Sequence, residues 1–348
     1  MKKTGKLIAI LLIVVIGVAL AACAGNNDQP TQPTQPPAAT QPTSPDEGTD
    51  PVLPEQVFQI GIIQLVEHPA LDAARLGFLA AFEERGVAAE FDYQNAQRDI
   101  PTLSTIANRF VGNNVDLVLA IATPSVQAMA TATDTIPIVG TAITSYEQAG
   151  VVYSNAAPGF NVTGASDMNP VEAQILMMLE FLPDLQTLGI VYSAAEANSV
   201  YQAELARGIA ESLGLTVVTG TVTSAAEVQQ NTLSIAGRVD AIWIPTDNTH
   251  ADAIAIVGQV SLDTGVPIFP GESNMVMGGG IATLSVDYFE LGRQSGMMAI
   301  EILLNGADPA TMPIQFAQFY TPVVNGFMLE ALGLTVPPQY ADYIQFPE

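Results

Sequence analysis

The polar residues that could do chemistry lie in short clusters: Val66-Glu67-His68-Pro69, Thr123-Pro124-Ser125, Thr141-Ala142-Ile143-Thr144-Ser145-Tyr146, Ser193-Ala194-Ala195-Glu196-Ala197-Asn198-Ser199, Thr246-Asp247-Asn248-Thr249, Gly271-Glu272-Ser273-Asn274 and Asp287-Tyr288. Hydroxyls, amides and carboxylates in this mixture suit the holding of a small polar ligand by hydrogen bonds. Bond-making arrangements are missing. The chain has two histidines, His68 and His250, and contains no His-Glu-x-x-His, no Gly-x-Ser-x-Gly and no Gly-rich loop ending in Lys-Ser/Thr, so most hydrolase and kinase signatures fail. Gly278-Gly279-Gly280 lacks dinucleotide-loop spacing and reads as a turn. Cys23 is the single cysteine, which removes intramolecular disulfides, thiolate nucleophiles and cysteine metal sites. No metal or cofactor is expected.

Within these clusters Thr123, Ser125 and Thr141 form one expected wall and Asn198, Ser199, Asp247, Asn248 and Glu272 the facing one, with Glu67, His68 and Asp287 beside them. Each such residue taken singly could equally cap the helix that follows it. Their joint placement at the tips of successive strands favours a binding role. Helix N-termini and hydroxyls can receive a carboxylate without an arginine, and Asp247, Glu272 and Asp287 would neutralise an ammonium group. His250, beside Asp252, is expected at the surface and Trp243 in a core. Arg75, Arg85, Arg98, Arg109, Arg207, Arg238 and Arg293 are expected within helices or beside their ends, away from the strand tips.

These clusters need a scaffold, and the hydrophobic pattern supplies one. Strands at 57–64, 90–93, 115–121 and 137–141 alternate with helices at 71–85, 100–111 and 125–133. After a stretch rich in Gly, Asn and Pro (158–170), helices at 171–181, 200–213, 225–236 and 251–263 alternate with strands at 188–192, 216–219, 241–245, 266–269 and 280–285. A helix at 287–304, an extended piece at 313–324 and a short tail helix follow. Short apolar strands alternating with amphipathic helices predict an α/β fold of two doubly wound parallel-sheet lobes. The expected lobes are 55–165 plus 285–322 and 166–284 plus 323–348, joined by a multi-strand hinge near 163–168, 284–287 and 321–325.

The N-terminus reads differently. Lys2, Lys3 and Lys6 precede an apolar run at 7–20 and then Leu20-Ala21-Ala22-Cys23. A basic region, a short apolar run and small residues make a signal peptide over 1–22, shorter than the roughly 20 apolar residues of a membrane span. Leu-Ala-Ala-Cys resembles the lipobox of bacterial lipoproteins, which implies lipidation at Cys23. Pro, Thr and Gln dominate the rest of 23–54, which is expected to be an extended lipid-anchored linker. In the whole chain of 348 residues, 10 Lys+Arg stand against 35 Asp+Glu, a formal net charge of -25, and every lysine lies in the first six residues. So acidic a chain is a poor partner for nucleic acid or for an anionic membrane surface.

From about 57 to 333 the chain resembles the substrate-binding proteins of bacterial ABC importers, in particular the tryptophan/tyrosine-type binding proteins with the type I periplasmic fold. The segments that carry the resemblance are Glu67-His68-Pro69-Ala70-Leu71-Asp72, Ala122-Thr123-Pro124-Ser125, Gly164-Ala165-Ser166-Asp167, Ala195-Glu196-Ala197-Asn198-Ser199, Ile244-Pro245-Thr246-Asp247-Asn248-Thr249 and Asp287-Tyr288 with Leu291-Gly292. The resemblance implies a three-strand hinge, a cleft that closes on a small solute such as an amino acid, and ABC permease and ATPase subunits as partners. The body would be an extracytoplasmic monomer, held to the cell membrane by its lipid anchor. A sensory lipoprotein presenting its liganded state to a signalling partner would use the same cleft, and a sugar or nucleoside is the alternative solute. An exported enzyme is disfavoured, since no nucleophile, base and orienting group occur together. Where relatives place an acidic residue after the fourth strand, this chain has Ser145-Tyr146, so the aromatic preference does not carry over directly.

Overall fold

The computed structural model describes residues 56–347. The expected signal peptide, the lipidation site Cys23 and the linker lie outside the described residues. The first series runs β1 (Phe58–Gln64), α1 (Pro69–Arg85), β2 (Ala89–Asn95), α2 (Ile100–Asn113), β3 (Leu117–Ile121), α3 (Thr123–Ala132), β4 (Ile138–Ile143) and β5 (Val162–Ser166). The second runs α4 (Val171–Phe181), β6 (Thr187–Ser193), α5 (Ala197–Ser212), β7 (Thr216–Val222), α6 (Ala225–Ala236), β8 (Ala241–Ile244), α7 (Asn248–Asp252), α8 (Ile254–Thr264), β9 (Ile268–Pro270) and α9 (Ser273–Gly279). The chain then crosses back through β10 (Ala282–Ser285), α10 (Tyr288–Asn305), β11 (Gln315–Phe316), β12 (Thr321–Asn325), α11 (Gly326–Leu332) and β13 (Ile344–Gln345).

Two parallel sheets result, ordered β11-β5-β4-β3-β1-β2 and β7-β6-β8-β9, with a small third sheet β10-β12-β13. Every residue of β3, Leu-Val-Leu-Ala-Ile, is buried, as a strand covered by helices on both faces requires. Proline at the start of α1 and left-handed Gly86 at its end bound that helix, in the usual asymmetry of such termini. The hydrophobic core divides in sequence. One cluster joins residues of β1–β5 to Val286, Leu291 and Ile300 of the returning segment, while the clusters around Trp243 and Ile242 take in residues from Val171 onward together with Val324, Met328 and Leu329. Helices α1 and α10 meet backbone to backbone: a Cβ on Gly292 would overlap the main chain of Ala74, and one on Gly77 the carbonyl of Phe289.

Several elements differ from the sequence expectation. Strand β5 forms inside the Gly/Asn/Pro-rich stretch read as a connection. Its Gly164 adopts φ +147, where a side chain would strike the Gly140 main chain and the Tyr146 hydroxyl. The helix expected at 251–263 is two helices, α7 and α8, that part at Ala253. Helix α9 forms where a loop was expected, because Glu272 caps it and Met275 and Val276 give it a buried face.

The crossings between the two series lie at 167–170, 286–287 and 317–320, since 163–166 and 321–325 are strand residues. They are tied together: the Val286 N–H donates to Asn169 Oδ1 (3.0 Å), the Tyr288 hydroxyl to Asp167 Oδ2 (3.0 Å) and the Tyr320 hydroxyl to the Met168 carbonyl (3.2 Å).

Candidate functional site

Helix α3 starts one residue after β3, with Ala122 at φ 78 as the pivot, a left-handed conformation that costs a residue bearing a Cβ about 1 kcal/mol or more. This abrupt turn puts Thr123 and Ser125 in the first helical turn instead of a loop. Both are buried, and their hydroxyls, like that of Thr141 at the end of β4, find no protein partner. They are therefore not helix caps. Asn198 and Ser199 likewise sit inside the first turn of α5, with the Asn198 amide donating to the Thr246 carbonyl at 2.8 Å.

The facing loop is built around two buried carboxylates. Glu196 accepts from the Asn248 N–H (3.2 Å) and amide (2.6 Å) and from the Thr249 N–H (3.0 Å) and hydroxyl (2.7 Å). Asp247 caps α7 and accepts from the Ser193 N–H at 2.6 Å, the His250 N–H at 2.8 Å and the His250 ring nitrogen Nδ1, also at 2.8 Å. His250 is thus fully buried and not at the surface, because the capping turn carries its ring back beneath Asp247. Burial opposes ionisation of Asp247, yet the attraction of His250 and the hydrogen bonds outweigh it and hold the carboxyl below its ordinary range. Glu196 is pushed the other way, first by burial and then by the charge of Asp247.

Between the two walls lies a small cavity of about 20 Å³ lined by residues of both lobes, so a solute reaches it only when the lobes separate. Of the expected site residues, His68, Asn198, Asp247, Asn248 and Glu272 line it, joined by Asp167, Thr246 and Tyr288. None of these three was among the expected site residues. Asp167 directly follows β5, and an unrecognised strand hides its own tip; Tyr288 is adjacent to the residue that was chosen. Thr123, Ser125, Thr141 and Ser199 are buried outside this lining. Glu67 is exposed on an outer groove, where it accepts from the Tyr93 hydroxyl at 3.3 Å. Asp287 is exposed and turns its carboxylate onto the Glu290 N–H at 3.1 Å as the cap of α10, so Tyr288 and not Asp287 reaches the cavity. Tyr146, at the departure from the family pattern, is buried with its hydroxyl on the Ala165 carbonyl (3.1 Å) and is no part of the lining.

His68 Nε2 meets Asn248 Oδ1 across the cleft at 3.1 Å, and Thr144 meets Thr246 at 3.4 Å. Burial lowers the pKa of His68, opposed by the bond to Asn248. No lysine or arginine lines the cavity, whereas Asp167, Asp247 and Glu272 do. With Asp247 engaged by His250, Asp167 and Glu272 are anions without a cationic partner. Burial pushes each to about 6, although Tyr288 and Thr144 donate to Asp167, and the N–H groups of Asn274 and Met275 to Glu272.

A pH dependence follows. These two carboxyls hold their protons more tightly folded than unfolded, so their ionisation opposes folding. Stability of the ligand-free protein is expected to be higher near pH 4 and to fall as the pH rises to about 6, by roughly 2 kcal/mol for each group. Asp247 acts in the opposite sense only below its ordinary value of 3.8, whereas His68, held below its ordinary 6.5 by burial, opposes the fall within the window and Glu196 adds to it. Both are unchanged when Asp167 and Glu272 are replaced, so the difference in slope isolates the two carboxyls. Urea unfolding from pH 4.5 to 7.5 measures the slope; an unaltered slope in an Asp167→Asn/Glu272→Gln double variant would contradict the assignment.

A larger groove of about 400 Å³ on the flank of α8 and α9 is lined by Leu262, Met277, Phe327, Met328 and Phe346. It has no comparable convergence of polar groups.

Comparison with known proteins agrees with this architecture. Residues 59–343 match the family model described as ABC transporter substrate binding protein. The chain is 33% identical over 338 residues to the tyrosine-binding protein of Clostridioides difficile strain R20291, covering 96% of this chain and 94% of that one. Among solved structures, an ABC domain from Streptococcus pneumoniae in complex with L-Trp is similar with a TM-score of 0.81 and 34% identity, over 84% of this chain and 100% of that one. The ligand-free, open structure of a substrate-binding protein with adhesive properties from Clostridium difficile has 37% identity but a TM-score of 0.66, over 84% of this chain and 99% of that one. At matched coverage and similar identity, this chain superposes more closely on the tryptophan complex than on the open structure. Two parallel-sheet lobes closing on a polar cavity, with a family match over nearly the whole described body, make this chain a member of the ABC transporter substrate-binding protein family.

Proposed function

We propose that the protein captures a free amino acid, with the aromatic acids L-tyrosine and L-tryptophan foremost, and delivers it to an ABC permease driven by its ATPase. The observation that carries this reading is the pair Asp167 and Glu272, buried on a cavity that no lysine or arginine lines. A ligand ammonium is the complementary charge. The unpartnered hydroxyls of Thr123, Ser125 and Thr141, near the N-terminus of α3, could receive the ligand carboxylate once the lobes separate. The names of the relatives support the same solute class. In this reading the protein is a monomeric, extracytoplasmic receptor lipidated at Cys23, with two lobes that part at the crossings 167–170, 286–287 and 317–320, and it performs no reaction on its solute.

A cleft ligand stabilises the protein by mass action, by about 2.7 kcal/mol at a hundredfold excess over Kd. A rise in melting temperature is expected with L-tyrosine or L-tryptophan and none with N-acetyl-L-tyrosine, whose ammonium is blocked. A shift with sugars or nucleosides in the absence of any with amino acids would overturn the solute class.

A further inference from the structure

The lobes meet a second time outside the cavity, along a groove of about 660 Å³ bordered by Glu67, Arg98, Glu196, Thr249 and Asp252. Arg98 lies here at the tip of β2. This departs from the expectation that arginines avoid the strand tips. The arrangement is specific. Gln97 (φ 51) and Arg98 (φ 67) are consecutive non-glycine residues in the left-handed region, a conformation that must be held by its surroundings. The Gln97 N–H donates to Asn95 Oδ1 (2.8 Å), the Arg98 N–H to the Leu65 carbonyl (2.7 Å) and the Asp99 N–H to the Ala96 carbonyl (2.9 Å). So held, the loop sends the guanidinium out of the first lobe onto the carboxylate of Asp252, the last residue of α7 in the second. Among the described residues, no other ion pair joins the first series of elements to the second. The Arg98 side chain is 22% exposed and that of Asp252 43%, so the contact is partly shielded from salt. The break at Ala253 leaves Asp252 at a helix end facing the groove instead of on a continuous helix.

We propose that Arg98 is a positioning residue for solute retention: its ion pair with Asp252 clasps the closed lobes at the cleft mouth and sets how often they part. The clasp touches no solute. It acts through the closed arrangement, and its link to retention rests on the reading of the cavity as the solute site. The other charged residues bordering the groove, Glu67 and Glu196, are acidic too, so the arginine is the one cation among its lining residues and Asp252 its partner on the opposite lobe.

The test uses the full chain with Arg98→Gln, Asp252→Asn, the double variant, and the exchange Arg98→Asp/Asp252→Arg. Without solute, hydrogen–deuterium exchange of the backbone amides at 246–252 is expected to quicken three- to tenfold in each single variant. The double variant should be no faster than either single one, because both remove the same contact, and the exchange variant should return toward the parent. With L-tyrosine as probe, the dissociation rate should rise by the same factor, and that of the parent in 0.5 M NaCl by a smaller one, because the pair is only partly open to salt. Stability to urea should fall by no more than the same factor, about 0.6–1.4 kcal/mol; a larger loss would show general destabilisation and overturn the clasp. Unchanged amide exchange in Arg98→Gln, or additive effects in the double variant, would overturn the proposal. If L-tyrosine fails to bind the parent, the solute assignment falls while the amide-exchange arm still decides the clasp.

Discussion

Asp167→Asn is expected to weaken L-tyrosine binding by roughly 30- to 5000-fold, the effect of removing one partner of a buried charge pair at about 2–5 kcal/mol. The side chain is 4% exposed, accepts from the Thr144 and Tyr288 hydroxyls, and faces a cavity without lysine or arginine. An amide of the same shape can accept from one hydroxyl and donate to the other, so the hinge around it should survive. The ligand-free variant should be at least as stable as the parent at neutral pH, because a buried carboxyl that resists ionisation has been replaced by a neutral group. Loss of affinity together with retained or raised stability is a combination that simple misfolding cannot produce. Calorimetric titration and urea unfolding measure the two halves, and an affinity within threefold of the parent would remove Asp167 from the solute contact.

His250→Ala is expected to destabilise the protein by about 3–5 kcal/mol, the usual consequence of stripping a buried charge of its partner. Asp247 would keep the N–H groups of Ser193 and residue 250 but lose the imidazole that holds its carboxyl below the ordinary range. Adding Asp247→Asn should recover part of the loss, since the buried charge goes with it. Urea unfolding is the measurement. A loss under about 1 kcal/mol would mean that His250 does not stabilise Asp247 and would return that carboxylate to the candidates for ligand ammonium.

The contrast between Asp247 and Asp167 shows what could be read from residue order and what could not. Asp247 stands at a strand tip with Asn, Thr and His after it, a pattern equally good for capping and for binding. Three donors from its own lobe engage it, so its carboxylate is less free for a ligand than the pattern suggested. Asp167 follows a strand of five residues, Val-Thr-Gly-Ala-Ser, too short and too mixed for its periodicity to stand out from the Gly/Asn/Pro-rich stretch around it. The strand exists because β4 already offers an edge and because Gly140 and Gly164 let the Tyr146 hydroxyl fit between them. Neither condition is local. Arg98 crosses the cleft for a related reason: the left-handed pair at 97–98 that directs it is held by Asn95 at the end of its own strand and by the Leu65 carbonyl, which follows a different strand, β1.

What the sequence alone determined is the alternation of apolar strands and amphipathic helices, hence two parallel-sheet lobes, the site at strand tips, and the scarcity of catalytic groups. Those properties depend on hydrophobic period, turn chemistry and residue inventory, all of which are local or compositional. Which polar group faces the cavity, which merely completes the fold and which joins the lobes was decided only by tertiary structure. The free energy of a buried carboxylate is set by the donors and charges within a few ångströms, and here the closest of them come from loops far apart in the chain: Thr144 and Tyr288 around Asp167, Ser193 against Asp247, and Arg98 against Asp252.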